Sequence, residues 1–135
     1  MDKFVKLLLL TLSASPCWAS DVVMIGHPDV PRLSPATVQK LYEGRLVAVG
    51  GVAITAVNAP AGTPLRNRFL ASYLGREEED YTAYWTVRRF IGKGAPPQVL
   101  PSIQDVINFV QNQPGAVGYV DVKDLRPGMN LVLER

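Results

Sequence analysis

The sequence predicts an α/β domain built around a mixed β-sheet, and three observations lead to this prediction. Short continuous apolar runs at residues 22–25 and 116–122 are typical of strands that are buried on both faces. Between these runs, capping and proline signals mark the starts of about four amphipathic helices. The chain has 135 residues, which suits one domain, and no repeat or low-complexity linker divides it. Helices interleaved with buried strands favour a mixed sheet flanked by about four helices.

The first nineteen residues have the layout of a secretory signal peptide. Two lysines precede a leucine-rich run, and small residues lead up to Ala19. The apolar run is less than half of the roughly 20 residues that cross a bilayer, so we expect a cleaved leader and no membrane anchor. We therefore predict a signal peptide at 1–19 and an exported, periplasmic domain at 20–135. Cys17, the single cysteine, would leave with the leader, and the mature domain would have no thiol for a disulfide, a zinc site or a nucleophile.

The mature chain is expected to begin with a strand and a short helix. The run at 22–25 is closed by Gly26 and supplies the strand. Ser34 and Pro35 then provide an N-cap and a first helical residue, and Gly44 is the expected end of this helix. A valine-rich segment follows, in which Gly50 and Gly51 offer a turn and predict a hairpin or a turn into one strand.

Three more helices and two strands are expected after this segment. Thr63 and Pro64 repeat the cap-and-proline signal for a helix that stops at Gly75. The acidic run at 77–80 suits the positive end of a third helix, which we expect to end at Gly92. Beyond a loop at residues 93–101, Ser102 is predicted to cap the fourth helix. The segments 116–122 and 130–134 are the last predicted strands.

Composition and charge exclude several classes of function. The net charge is +2, and without Lys3, Lys6 and Asp2 it is about +1, which disfavours a nucleic-acid partner. His27 is the single histidine, its nearest acid is Asp29, and neither a nucleophile motif nor a second histidine accompanies it. We therefore predict a protein that is not an enzyme, has no catalytic residue and no metal site, and needs no cofactor.

One loop could bind an anion. A small-residue segment leads into the second helix, and its Gly62 and Thr63 stand where backbone N–H groups remain free and the helix dipole is positive. Arg66, in the first turn, could reach back toward an oxyanion. The alternative interpretation is that Thr63 simply caps its own helix, as at any other helix start. The candidate anion-binding residues are Gly62, Thr63 and Arg66.

The ordered succession of several sequence blocks is similar to the substrate-binding proteins of phosphate ABC transporters, and more closely to their short, single-lobed exported relatives. The similarity covers about residues 22 to 122. The blocks that carry it are Ser34-Pro35, Leu41-Tyr42-Glu43-Gly44-Arg45, Val57-Asn58-Ala59-Pro60, Leu65-Arg66-Asn67-Arg68-Phe69, Tyr84-Trp85, Phe90-Ile91-Gly92-Lys93-Gly94-Ala95-Pro96-Pro97 and Pro114-Gly115-Ala116-Val117-Gly118-Tyr119-Val120.

This resemblance implies one lobe of a type II periplasmic-binding-protein-like fold. The full-length members of the family have two such lobes and hold phosphate between them with hydroxyl and backbone N–H groups. Their phosphate loop in the second lobe carries an acidic residue and a Ser-Gly-Thr type sequence. Here Gly62 and Thr63 match that loop, whereas its serine and acidic residue are missing.

Two functions follow as hypotheses. The first is an exported solute-binding-like protein with weak affinity for phosphate or a related oxyanion at the helix start. The second is a periplasmic interaction or sensor-accessory module that keeps the fold without a ligand and serves an envelope transporter or a sensor protein. A homodimer that rebuilds a two-lobed cleft is compatible with both.

Overall fold

The computed structural model describes residues 22–134, which fold into a mixed sheet with helices on both of its faces. The strands are β1 (Val22–Gly26), β2 (Ala48–Val49), β3 (Val52–Ala53), β4 (Thr55–Asn58), β5 (Gln98–Val99), β6 (Ala116–Asp121) and β7 (Asn130–Glu134). The α-helices are α1 (Pro35–Tyr42), α2 (Pro64–Phe69), α3 (Glu78–Phe90) and α4 (Ile103–Asn112). A π-helical turn (Leu70–Leu74) extends α2, and a 3₁₀ turn (Val122–Asp124) follows β6.

The main sheet has the strand order β5-β4-β6-β1-β7. Strand β4 runs parallel to both β5 and β6, whereas β1 is antiparallel to β6 and to β7. Strands β2 and β3 form a separate hairpin. The predicted mixed sheet and the predicted number of helices are confirmed.

The continuous apolar run of β1 results from helices on both faces of the sheet. Val22 and Met24 pack into a cluster with α1, α2 and α3, whereas Val23 and Ile25 pack into a second cluster with α4. Successive strand side chains point to opposite faces, so a strand covered on both sides needs apolar residues at every position.

The predicted helix starts are confirmed by their capping bonds. The hydroxyl oxygens of Ser34, Thr63 and Ser102 accept hydrogen bonds from the N–H groups of Thr37, Arg66 and Asp105, respectively. Each cap satisfies one of the N–H groups that a helix start leaves without an internal partner. At the end of α3, Gly92 has the left-handed conformation expected of a helix stop.

The structure also differs from the predicted elements in three places. The valine-rich segment splits at Ile54, so that β3 belongs to the hairpin and β4 to the main sheet. The second helix finishes as a π-helical turn, within which the Tyr73 hydroxyl donates to the Val22 carbonyl at 2.7 Å. Two residues of the predicted loop, Gln98 and Val99, pair with β4 as a short edge strand.

The predicted signal peptide, its cleavage site and Cys17 lie outside the described residues. Within residues 22–134, no helix has the length and hydropathy that crossing a membrane requires.

Candidate functional site

The main candidate site is a cleft of about 270 Å³ at one edge of the sheet. Strands β4, β5 and β6 are mutually parallel, so their carboxyl ends meet at the same edge. In open α/β sheets, ligands bind in crevices outside the carboxyl ends of the strands. The residues that line the cleft belong to the loops and helices that follow β4 and β5 and to the end of β6 with the turn after it: Ala59, Pro60, Thr63, Pro64, Leu65, Arg68, Leu100, Pro101, Ser102, Ile103, Val106, Asp121 and Lys123.

Thr63 lines this cleft at the start of α2, and its hydroxyl makes hydrogen bonds within its own turn. The hydroxyl donates to the Pro60 carbonyl at 2.7 Å and accepts from the Arg66 N–H at 3.4 Å. Gly62, one residue earlier, is exposed and has a φ of +82°, a conformation that glycine adopts readily. Among the described residues, the N–H of Leu65 has no hydrogen-bond partner.

The start of α4 forms the opposite wall. The Ser102 hydroxyl donates to the Asp105 carboxylate at 2.8 Å and accepts from the Asp105 N–H at 3.1 Å. The N–H of Ile103 has no partner within residues 22–134. Two helix starts whose N–H groups lack partners therefore border one cleft, and each adds the partial positive charge of its helix dipole.

Three charged side chains stand at the end of β6. Arg68 donates to the Asp121 carboxylate at 3.0 Å, and the Lys123 N–H donates to the other carboxylate oxygen at 3.2 Å. Burial of Asp121 opposes its ionisation, yet these hydrogen bonds and the nearby cations outweigh that effect and lower the pKa of the carboxyl group. The Lys123 ammonium has no hydrogen bond or ion pair among the described residues. The side chains at this end of the cleft therefore carry a net positive charge.

Arg66 lies behind the cleft and does not line it. Its guanidinium donates two hydrogen bonds to Glu78, at 2.7 and 2.8 Å, and a third to the Ala59 carbonyl at 3.1 Å. With its side chain 8% exposed, the arginine is held between α2 and α3. The structure thus brings the predicted Gly62, Thr63 and Arg66 into one turn, but among them Thr63 alone lines the cleft.

A buried network of tyrosines supports the loop that follows β4. The Tyr119 hydroxyl donates to the Asn58 side chain and accepts from the Ala59 N–H at 3.0 Å. Tyr81 donates to the Tyr42 carbonyl at 2.9 Å. Burial raises the pKa of Tyr81 to about 12 and the pKa of Tyr119 further. These groups stay neutral at physiological pH, so they hold the loop by hydrogen bonds and add no charge to the site.

The histidine and its neighbours form no catalytic set in the part of the chain that the structure describes. His27 contacts Asp29 at 2.8 Å, and the same carboxylate accepts from the Gly115 N–H at 3.0 Å, which is the main reason that its pKa is lowered. No group of three or more potential metal ligands occurs among residues 22–134. His27 and Asp29 instead tie the loop after β1 to the turn before β6.

The sequence patterns do not indicate four polar residues of the cleft, namely Arg68, Ser102, Asp121 and Lys123. The capping signal predicts Ser102 as a helix cap, and Arg68 belongs to one of the family blocks, but neither signal brings the two residues together. The pairing of β4 with both β5 and β6 brings the three loops to one edge. The local sequence signals carry no information about which strands are neighbours.

The fold is similar to solved structures of phosphate-transport proteins. An ABC-type phosphate transport receptor from Vibrio cholerae superposes with a TM-score of 0.62 at 18% identity, over 82% of this chain and 44% of that chain. A structure described as a phosphate ABC transporter substrate-binding protein with bound phosphate, from Clostridium perfringens, gives a TM-score of 0.57 at 15% identity, over 82% of this chain and 43% of that chain. No family model and no curated protein matches the sequence.

These similarities confirm the fold that the resemblance implies, one lobe of a type II periplasmic-binding-protein-like fold. The chain spans less than half the length of either neighbour. At 18% and 15% identity the similarity shows a shared fold. The phosphate in the printed descriptions is a property of the neighbours.

Proposed function

We propose that this protein is an exported, solute-binding-like protein that binds phosphate or a related small oxyanion with weak affinity. The observation that carries the proposal is the convergence of two helix starts and two cations on one cleft at the carboxyl edge of the sheet. Free N–H groups at a helix start bind anions, because the N–H groups point at the ligand and the dipole favours negative charge.

Each wall of the cleft would supply part of the binding energy. The free N–H groups of Leu65 and Ile103 would donate to the oxyanion, and the Lys123 ammonium would add a charge-assisted hydrogen bond. Gly62 and Thr63 would shape the turn from which the Leu65 N–H points. Arg66 would act indirectly, through its bond to the Ala59 carbonyl.

Two features explain why the affinity is expected to be low. Asp121 neutralises Arg68 and would repel an anion nearby. The cleft is also only partly enclosed by this chain, so a bound ion would remain partly hydrated. We accordingly expect saturation at millimolar and not at micromolar phosphate.

Calorimetric and thermal unfolding titrations with phosphate, sulfate and chloride test the proposal. Ligand at ~100 times its dissociation constant stabilises a folded protein by about 2.7 kcal/mol. We expect stabilisation by phosphate and a clear loss of it in Lys123→Ala. Lys40→Ala is the matched control, because Lys40 is exposed on α1 and lies outside the cleft. If none of these anions raises the unfolding temperature or gives binding heat at millimolar concentrations, the protein does not bind them and the proposal is wrong.

A second function, a ligand-free interaction or sensor-accessory module, is favoured by one specific observation. The hydroxyls of Thr63 and Ser102 serve as helix caps, and the Arg66 guanidinium donates three hydrogen bonds, two to Glu78 and one to the Ala59 carbonyl. A protein that had kept the fold and lost its ligand would use its polar groups in this way. Its partner would be an envelope transporter or a sensor protein.

Recovery of the protein from envelope extract separates the two functions. A stable complex with a transporter or sensor subunit, together with no anion binding, would support the accessory module. Anion binding by a protein without such a partner would support the solute-binding function. The N-terminal residue of the protein recovered from the periplasm, expected to be Ser20, tests export and cleavage independently.

A further inference from the structure

The outer face of α3 carries exposed apolar side chains at helical spacing. Phe90 is 91% exposed, and Val87 and Ile91 are 60% and 57% exposed. Ala83, one turn before Val87, is exposed as well. Residues three and four apart share one face of a helix, so these four side chains form a single stripe. A contiguous exposed apolar stripe on a soluble protein marks an interaction surface.

A shallow depression lies beside this stripe. Its walls come from Arg76, Asp80, Ala83, Tyr84, Val87 and Arg88. The guanidinium groups of Arg76 and Arg88 lie over the Tyr84 ring, at 4.7 and 5.4 Å from its centroid. Such a surface can take an aromatic side chain, because guanidinium groups and aromatic rings attract each other.

The charges along α3 change sign from one end to the other. Its first turn contains Glu78, Glu79 and Asp80, and its last turn contains Arg88 and Arg89. This distribution complements the dipole of the helix itself. It also makes the helix complementary to an antiparallel copy of itself, since each acidic end would then lie beside a basic end.

We propose that α3 forms a homodimer interface, in which two copies of the helix pack antiparallel about a two-fold axis. Glu79 of each copy would face Arg89 of the other, and Phe90 of each copy would enter the depression of the other near Asp80. Ala83 and Thr86 lie close to the axis, where small side chains let the helices approach. A two-fold interface requires one self-complementary patch, and the acidic and basic ends of this helix make its charge pattern self-complementary.

This interface is separate from the oxyanion cleft. None of the residues that line the cleft belongs to α3. Dimerisation and anion binding can therefore be tested independently of each other. It also differs from a dimer that would rebuild a two-lobed cleft. Stable complexes bury about 1,200–2,000 Å², and one helix pair buries less, so the dimer is expected to be weak and concentration-dependent.

Sedimentation equilibrium tests the dimer by measuring its dissociation constant. The protein is expressed from its full coding sequence and measured over micromolar to millimolar concentrations. We expect Phe90→Ser to raise the dissociation constant at least about tenfold, because aromatic residues buried in a pocket of the partner dominate interface energies. Val47→Ser is the matched control, since Val47 is 73% exposed but lies next to the β2–β3 hairpin. Both positions are exposed, and circular dichroism will show whether the fold is retained.

Charge reversal tests the antiparallel geometry. Glu79→Arg and Arg89→Glu should each abolish dimerisation at concentrations where the parent protein is half dimeric. An equimolar mixture of the two variants should dimerise again, because both cross-helix pairs then join opposite charges. A protein that stays monomeric at millimolar concentration overturns the proposal. A dimer that tolerates Phe90→Ser, or charge variants that fail to recover on mixing, overturns it equally.

Discussion

Arg66 on α2 and Glu78 on α3 form a two-pronged ion pair, with the Nε and Nη2 atoms 2.8 and 2.7 Å from the two carboxylate oxygens. The guanidinium also donates to the Ala59 carbonyl at 3.1 Å and lies over the Tyr81 ring. Arg66 therefore fastens the loop after β4 to a neighbouring helix. A bidentate arginine suits this role, because its planar fork fixes geometry as well as charge.

Arg66→Ala should destabilise the fold. Breaking a buried ion pair costs about 3–5 kcal/mol, and because Glu78 is partly exposed we expect about 2–3 kcal/mol. Urea unfolding followed by tryptophan fluorescence measures the loss. Arg32→Ala, at an exposed position, is the control and should change stability by less than about 0.5 kcal/mol. Unchanged stability combined with weaker phosphate binding would instead assign Arg66 to the ligand.

Asp121 should make the protein sensitive to acid. Its pKa in the fold lies below the ordinary value of 3.8, so its stabilising contribution is present above pH 3.8 and is lost as the pH falls through the lower folded value. Asp121→Asn should cost about 1–2 kcal/mol at pH 7, because it weakens the hydrogen bonds with Arg68 and the Lys123 N–H.

Unfolding free energies of the parent protein and Asp121→Asn, compared between pH 2.5 and 7, test this assignment. The difference between the two proteins should shrink toward the acid end. Asp80→Asn is the control, because Asp80 is exposed on α3. A difference that is independent of pH would show that the carboxylate charge contributes nothing to folding.

The buried tyrosines should limit stability in alkali. Burial raises the pKa of Tyr81 from 10.0 to about 12, so the neutral hydroxyl is favoured in the fold. Its contribution is complete below pH 10 and is lost as the pH rises from 10 to 12, because the unfolded chain ionises first. Absorbance of tyrosinate at 295 nm, recorded with and without urea, should show late ionisation in the folded protein alone.

Tyr119→Phe separates the hydrogen bonds of this network from its packing. The variant keeps the ring stacked on Phe69, at a centroid distance of 3.9 Å, but leaves the Ala59 N–H and the Asn58 side chain without this partner. An unsatisfied buried polar group costs about 1–3 kcal/mol, and we expect a loss within that range in urea unfolding. A neutral effect would show that water replaces the hydroxyl.

Two glycines in the same backbone region offer a matched comparison. Gly115 has a φ of +75°, and a Cβ atom there would lie 1.9 Å from the Ala53 carbonyl oxygen. Gly62 has a φ of +82°, and a Cβ there would meet nothing within 4 Å. Gly62→Ala should therefore cost the conformational penalty alone, about 1–2 kcal/mol, whereas Gly115→Ala should cost at least about 2 kcal/mol more. Equal losses in thermal unfolding would mean that the hairpin moves aside freely.

The elements that the sequence predicts well are those specified by neighbouring residues. The Ser102 cap lies three residues from the N–H that it binds, so a short motif reveals it. Strand β1 is predictable because burial on both faces leaves an uninterrupted apolar run. Strand β5 leaves no such signal, since its two residues are exposed and it exists through its pairing with β4. The π-helical turn after α2 is equally hidden, because one inserted residue barely alters the apolar spacing of a single turn.

The candidate site likewise has features that neighbouring residues specify and features that only contacts between distant residues create. The sequence alone indicates the fold class and the helix start at Thr63, because both follow from local periodicity and capping. The sequence also indicates Arg66 as a candidate site residue. Its partner Glu78, however, lies 12 residues away on another helix, and the contact depends on the packing of α2 against α3. Arg68, Ser102 and Lys123 meet at one cleft because three parallel strands end at the same edge. Strand order arises from contacts distant in the chain, and for that reason the positions of these charges belong to the tertiary structure.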